Sequence, residues 1–74
     1  MKLPVCSGED AIRAFERAGW VRDRQRGSHV SLYRQGWPVV LTVPVRRELG
    51  PGLLRSLIRK AGLTVEEFHT LLNL

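Results

Sequence analysis

A glycine-serine pair in the first half of the chain constrains the fold more than any other feature. Gly27 and Ser28 separate residues 20–26 from residues 29–34, and both flanking segments follow a period-two pattern. Such segments on either side of a two-residue loop are typical of an antiparallel hairpin, and glycine at the first loop position favours a type II′ turn. Because a turn of this length sets which residues face one another, the sequence predicts a hairpin with a defined register.

This register predicts three opposed pairs on one face of the sheet: Arg26 with His29, Arg24 with Ser31, and Arg22 with Tyr33. The alternation of side chains along a strand sends the intervening residues to the other face. An apolar set suited to a core is expected there: Val21, Val30 and Leu32. Asp23 and Gln25 also fall on that second face, so we expect the first strand to be only partly buried. The hairpin therefore predicts a histidine among arginines on one side of the sheet.

Three helices are predicted around the strands. Ser7 is placed to cap a first helix that ends at Gly19, and a second helix begins at Pro51 and ends at Gly62. A capping box at residues 64–67 starts a short third helix. Apolar residues recur at helical spacing in all three segments. The residues expected to be buried are Ala11, Ile12, Phe15, Ala18, Leu53, Leu54, Leu57, Ile58, Ala61, Val65, Phe68, Leu71 and Leu72.

Residues 39–43 favour a third strand that follows the turn at residues 35–38. If Arg34 pairs with Val39, the core face gains Val39, Leu41 and Val43, and the histidine face gains Val40 and Thr42. The predicted fold class is α+β, with the order helix, three antiparallel strands, helix and short C-terminal helix. Helices can cover only one face of this sheet, so the other stays open to a partner. With 74 residues, we expect a single domain, 1–74.

The charge of the chain narrows the class of partner. The formal net charge is +5, and ten of the twelve basic residues are arginines. A balance this basic favours nucleic acid or an acidic protein, and arginine suits phosphate because its planar fork donates two parallel hydrogen bonds. The single Cys6 cannot form a disulfide within the chain, and no segment has the length and apolarity of a membrane span. We therefore expect a cytoplasmic protein without a membrane partner.

Three motifs, in order, resemble the HicA (YcfA-like) toxin family. They are Gly27-Ser28-His29 in the hairpin, Leu41-Thr42-Val43-Pro44 at the end of the third strand, and the sequence GLLRSLIRKAGL at residues 52–63. Glu66-Glu67-Phe68 also fits the pattern. The resemblance implies a double-stranded-RNA-binding-domain-like fold and an mRNA endoribonuclease of a type II toxin–antitoxin system. It further implies that a HicB-like antitoxin covers the active-site face and that His29 is the catalytic histidine.

The chemistry expected of His29 is general-base catalysis on RNA. The imidazole would take the proton of a 2′-hydroxyl, which then attacks the adjacent phosphate, so that RNA and not DNA would be cut. Arginines would stabilise the charge that develops on the phosphate oxygens. We expect no metal or other cofactor; the proton donor to the leaving oxygen could be Tyr33, Arg46 or water. The predicted RNA-binding residues are Arg22, Arg24, Arg26, Ser28, Ser31, Tyr33, Arg46 and Arg47.

Two other functions fit the same residues. One is a non-catalytic RNA-binding module of the same fold, favoured because Arg46 and Arg47 stand where family members often carry a second histidine. The other is a protein-interaction domain whose basic face docks an acidic partner. Trp37, in a predicted turn, is a further candidate for a partner contact, whereas Trp20 is expected at the edge of the core.

Overall fold

A computed structural model describes residues 2–74, which form three helices and one three-stranded antiparallel sheet with the strand order β1-β2-β3. The element order α-β-β-β-α-α confirms the predicted α+β class and is consistent with a double-stranded-RNA-binding-domain-like fold. The bounds are α1 Gly8–Arg17, β1 Val21–Arg26, β2 His29–Tyr33, β3 Leu41–Pro44, α2 Pro51–Lys60 and α3 Val65–Leu72.

The hairpin between β1 and β2 has the predicted turn. Gly27 has a φ of 57°, and no residue other than glycine has a positive φ within residues 2–74. A positive φ at the first loop position alone matches a type II′ turn. The two pairs nearest the turn are confirmed, because Arg26 lies opposite His29 and Arg24 lies opposite Ser31.

The far end of the hairpin departs from the prediction. The register shifts after Arg22, which lies opposite Leu32, while Val21 lies opposite Tyr33. This β-bulge leaves Asp23 as an extra residue on β1 and reverses the side-chain alternation beyond it. The predicted pairing of Arg22 with Tyr33 is therefore wrong. The predicted burial of Val21 is wrong for the same reason, since its side chain lies on the exposed face with Tyr33.

The register between β2 and β3 is the one predicted. Val30 pairs with Val43 and Leu32 with Leu41, and all four side chains are fully buried. Strand β1 is exposed along its whole length, more than the partial burial we expected. The helices cover the face that carries the buried residues. The core is completed from the helices by Ala11, Ile12, Ala14, Phe15, Leu54, Leu57, Ile58, Ala61 and Phe68.

Most of the predicted apolar helix positions contribute to this core. The rings of Phe15 and Phe68 lie 5.2 Å apart and join α1 to α3. The remaining predicted positions are only partly buried: Ala18, Leu53, Leu71 and Leu72 pack against the core, and Val65 is half-buried. A partly buried Val39 joins them from the loop before β3. Ala14, which the helical pattern did not single out, is fully buried.

Side-chain caps fix the helix starts where the sequence predicts them. The Ser7 hydroxyl accepts a hydrogen bond from the Asp10 amide at 3.0 Å. At α3 the Thr64 hydroxyl accepts from the Glu67 amide and the Glu67 carboxylate accepts from the Thr64 amide, which completes the capping box. Gly19, with a φ of 101°, ends α1. Local chemistry therefore determines where α1 and α3 lie in the chain.

The loop between β2 and β3 is attached to the turn between α2 and α3 through Trp37. Its ring lies 5.6 Å from that of the buried Trp20, and the Arg34 guanidinium lies over it, 5.2 Å from the centroid. Trp37 also covers Gly62 so closely that a Cβ added at Gly62 would overlap the indole. Trp37 is therefore a packing residue, although 38% of its surface remains exposed.

We expect Gly62→Ala to lower the free energy of unfolding by about 1–3 kcal/mol. Alanine would be strained in the left-handed backbone conformation of this position, and its Cβ would overlap the Trp37 ring. Gly62 has a φ of 75° and Gly36 a φ of 86°, but nothing lies within 4 Å of a Cβ added at Gly36. Gly36→Ala is thus the matched control for backbone strain alone. Urea unfolding of both variants measures the difference, and equal losses would show that the contact with Trp37 contributes nothing.

Candidate functional site

The face of the sheet opposite the helices, called the open face here, carries three rows of side chains that cross the strands. The row at the hairpin turn consists of Arg26 and His29, with the buried Pro44 opposite His29 on β3, and the middle row consists of Arg24, Ser31 and Thr42. The far row begins with Val21 and Tyr33. Extending the β2–β3 register by one residue adds Val40 to that row. The open face thus runs from a basic end at the turn to an apolar end.

His29 lies at the start of β2, at the basic end of the open face. Its side chain is exposed, with Arg26 directly opposite on β1 and Pro44 directly opposite on β3. Among residues 2–74 no group hydrogen-bonds its imidazole, whose two nitrogens are thus available to a ligand. Histidine is the side chain that most readily exchanges a proton near neutral pH. The residue that the sequence singled out is therefore placed where it can reach a partner.

The two hairpin arginines on the open face have most of their hydrogen-bonding capacity free. Arg26 has no carboxylate within 4.0 Å among the described residues. Arg24 makes one contact, with Asp23 at 4.0 Å, and both of those side chains are more than half exposed. An exposed contact of this length contributes little energy. The guanidinium groups of Arg24 and Arg26 can therefore exchange water for an anionic ligand at low cost.

Arg46 and Arg47 belong to a segment that the backbone holds beside the hairpin turn. The Val45 amide donates to the Ser28 carbonyl at 2.6 Å, and the Gly8 amide donates to the Arg46 carbonyl at 2.9 Å. These bonds connect the segment after β3 to the turn on one side and to the start of α1 on the other. Both arginines are exposed. The fold thereby brings them to the same end of the sheet as His29.

Arg22 is the predicted site residue that the structure places elsewhere. Because of the bulge its side chain extends towards α1, where it pairs with Glu9 at 3.1 Å and Glu16 at 3.9 Å. Such half-exposed pairs each contribute up to about 1 kcal/mol, so this arginine contributes to attaching β1 to α1. Two carboxylates already offset its charge. Arg22 therefore does not join Arg24 and Arg26 on the open face.

Two features of the site could not be found from the sequence pattern. The hydrogen bond from Val45 to Ser28 comes from tertiary packing, and no local motif predicts it. The apolar row that contains Val21 depends on the bulge, which shifts that residue to the open face. Acidic Glu9 and Glu16, two turns apart on the same face of α1, are a sequence signal for an arginine turned towards that helix.

Cys6 and Asp10 lie outside this site. Burial raises the pKa of the Cys6 thiol, and the negative charge of Asp10 acts in the same direction, so the thiol is a poor nucleophile at neutral pH. Hydrogen bonds from Arg13 and Ser7 hold the pKa of the Asp10 carboxyl below its usual range. Within residues 2–74, no three histidine, cysteine or acidic side chains cluster closely enough to bind a metal ion.

The comparison with known families agrees with the placement of these elements. A model described as the HicA toxin of bacterial toxin–antitoxin systems matches residues 8–63, a span that includes the whole sheet, α1 and α2. A search of curated proteins gave no match. No helix in the described part of the chain combines the length and apolarity needed to cross a membrane. The chain belongs to the HicA toxin family, which implies an antitoxin as its partner.

Proposed function

We propose that this toxin is an endoribonuclease that cleaves mRNA in the cytoplasm, with His29 as the general base. The observation that carries the proposal is the position of His29, exposed on the open face and directly opposite Arg26. A free imidazole beside an uncompensated guanidinium is the pair that phosphodiester cleavage needs. The imidazole accepts a proton, and the guanidinium stabilises charge on the phosphate.

The reaction uses a nucleophile that the substrate supplies. His29 takes the proton of a ribose 2′-hydroxyl, and the 2′-oxygen forms a bond to the adjacent phosphorus while the bond to the 5′-oxygen breaks. The products are a 2′,3′-cyclic phosphate and a 5′-hydroxyl end. A proton donor must protonate the departing 5′-oxygen. Tyr33 is badly placed for that role, because it lies four positions from His29 along β2, a distance of about 13 Å. Arg46 or water remains as the donor.

The basic residues around His29 supply the proposed contacts to the RNA backbone. Arg24 and Arg26 lie on the open face, and Arg46 and Arg47 lie beside the hairpin turn. The exposed hydroxyl of Ser28 and the half-exposed Ser31 add hydrogen-bonding groups between them. Arg22 is left out because Glu9 and Glu16 hold it. The partner that silences the toxin is proposed to be a HicB-like antitoxin that covers the same face.

Incubation of the purified protein with single-stranded RNA distinguishes this function from the alternatives. Cleavage into fragments with cyclic phosphate ends supports the endoribonuclease. A mobility shift without cleavage would support a non-catalytic RNA-binding module, which the free arginines also favour. If neither occurs, the open face serves a protein partner only. Single-stranded DNA of the same sequence is the matched control, because it lacks the 2′-hydroxyl and is expected to stay intact.

RNA binding is expected to weaken steeply as salt rises. If Arg24, Arg26, Arg46 and Arg47 each neutralise one phosphate, the affinity for single-stranded RNA should fall about 50-fold between 50 and 200 mM salt. Fluorescence anisotropy at several salt concentrations gives the slope of log affinity against log salt concentration. Replacing Arg26 with alanine should reduce that slope by about 0.7, the contribution of one phosphate contact. Arg59→Ala, on the exposed face of α2, is the control that should leave it unchanged. A slope near zero would contradict the phosphate contacts.

A further inference from the structure

We propose that the apolar row of the open face, formed by Val21, Tyr33 and Val40, is a platform on which one base of single-stranded RNA stacks. This inference rests on the proposed function and extends it from the cleaved phosphate to a second subsite. Tyr33 supplies the aromatic surface; Val21 lies opposite it on β1, and Val40 immediately precedes β3, one residue beyond the pair of Leu32 with Leu41.

The three side chains form a continuous exposed surface. Tyr33 is 45% exposed, Val21 47% and Val40 55%. Val21 lies opposite Tyr33 on β1, and the β2–β3 register places Val40 on the other side of the ring. Side chains directly opposed on one face lie about 5 Å apart, so the valines support the two edges of the tyrosine. Three exposed apolar groups in one row across the sheet, on a chain this small, are more than scattered surface residues.

The β-bulge is what makes this row apolar. Without the extra residue at Asp23, regular alternation would place Arg22 beside Tyr33 and send Val21 towards the core. The bulge exchanges them, so that Arg22 pairs with Glu9 on the helix side and Val21 lies next to the ring. The open face thus ends in an uncharged surface.

The charge of the rest of the open face identifies RNA as the occupant. The rows next to the platform contain Arg24 and Arg26, and no acidic residue belongs to any of the three rows. An RNA strand needs cations along its backbone and aromatic surfaces for its bases, and both are present on one flat face. The phosphates would follow the arginines from the turn, and the chain would bring a base over Tyr33.

The distance between the two subsites limits which RNA fits. Tyr33 and His29 are four residues apart on β2, a separation of about 13 Å. Stacked single strands rise about 3.4 Å per nucleotide, so the stacked base lies at most about four nucleotides from the cleaved bond. We therefore expect oligomers that extend several nucleotides to one side of the cut to be better substrates than dinucleotides.

Binding by a His29→Ala parent, which leaves the RNA intact, tests the platform. With a single-stranded RNA oligomer as the probe, we expect Tyr33→Ser to weaken binding about tenfold, whereas Tyr33→Phe keeps the ring and binds like the parent. Val5→Ser removes an apolar group that lies outside the sheet and is more exposed than Tyr33, and it should change nothing. Circular dichroism of each variant checks that the fold is retained.

A second measurement locates the base. In a series of oligomers that carry 2-aminopurine at successive positions, one or two positions should lose fluorescence on binding to the parent and regain it with Tyr33→Ser. Unchanged RNA affinity of Tyr33→Ser overturns the platform and leaves the proposed nuclease standing. Loss of antitoxin binding alone in that variant also overturns it, since the row would then serve a protein. If the parent binds no RNA even at low salt, both proposals fail.

Discussion

We expect the replacement of His29 with alanine to abolish RNA cleavage and to leave the fold intact. Loss of a positioned general base typically lowers a rate about 10²- to 10⁴-fold, which would take a small ribonuclease below detection. His29 is exposed and its imidazole makes no hydrogen bond within the described residues, so stability should hardly change. Cleavage of a fluorogenic RNA measures the rate, and urea unfolding measures the stability. Induction of the variant in a host without the antitoxin should no longer arrest growth.

The second histidine of the chain provides the matched control. His69 is also exposed, but it lies on α3 beside Asn73, outside the sheet. His69→Ala should cleave RNA like the wild type, although both variants lose the same chemical group. A His29→Ala protein that cleaves at the full rate would remove His29 from the mechanism. A protein that binds RNA normally but never cleaves it, with or without His29, would favour the non-catalytic module.

The parts of the structure predicted correctly are those fixed by local chemistry. The turn at Gly27 sets the first two pairs of the hairpin, because a two-residue loop leaves no choice of register next to it. Ser7 and the Thr64–Glu67 box likewise determine where α1 and α3 start. These signals act over three or four residues, so the sequence is sufficient to recognise them. They also place His29 on the open face, since it is the first residue after the turn.

The parts that the sequence did not predict depend on contacts between distant segments. The bulge on β1 turns Arg22 to the helix side, where it pairs with Glu9 and Glu16, which lie 13 and 6 positions away in the chain. Trp37 is located in a turn, yet its ring packs against Gly62 and Trp20. This packing covers much of the ring surface that a partner would contact. Period-two and helical patterns contain no information about such pairs.

The same distinction explains which candidate residues remain in the site. Arg24 and Arg26 lie between the bulge and the turn, where the turn sets the register, and they stay on the open face with His29. Arg22 lies beyond the bulge and pairs with carboxylates of α1. Val21 lies opposite Tyr33, in the position that was predicted for Arg22. The site is thus more sharply divided than the sequence suggested. Charge is concentrated at the hairpin turn, and the far end of the sheet is apolar.

Gly8, the first residue of α1, packs against the segment that pairs with His29. Its amide donates to the Arg46 carbonyl at 2.9 Å, and it is buried against the end of β3. A Cβ added there would overlap the Pro44 carbonyl oxygen and approach the Val45 Cα to 3.0 Å. These are backbone atoms, which cannot rotate away as a side chain can. Gly8→Ala therefore forces α1 and the end of β3 apart.

That displacement reaches His29 through two contacts. Pro44 lies directly opposite His29, and the Val45 amide holds the Ser28 carbonyl at 2.6 Å. We expect Gly8→Ala to lower the free energy of unfolding by at least about 3 kcal/mol, the upper end for overpacked sites. A domain of this size has roughly 4–11 kcal/mol in total, so the loss would be a large share of it. The cleavage rate of the folded fraction should also fall.

Gly52 makes this prediction specific to position. Like Gly8 it lies in the first turn of a helix, but a Cβ added to it meets nothing within 4 Å. Gly52→Ala should therefore be neutral or should stabilise α2 by up to about 1 kcal/mol, because alanine favours the helix. Urea midpoints of the two variants give opposite signs if α1 and β3 are in close contact in solution. Equal stability of both variants would mean that the end of β3 yields freely, and that Gly8 does not position His29.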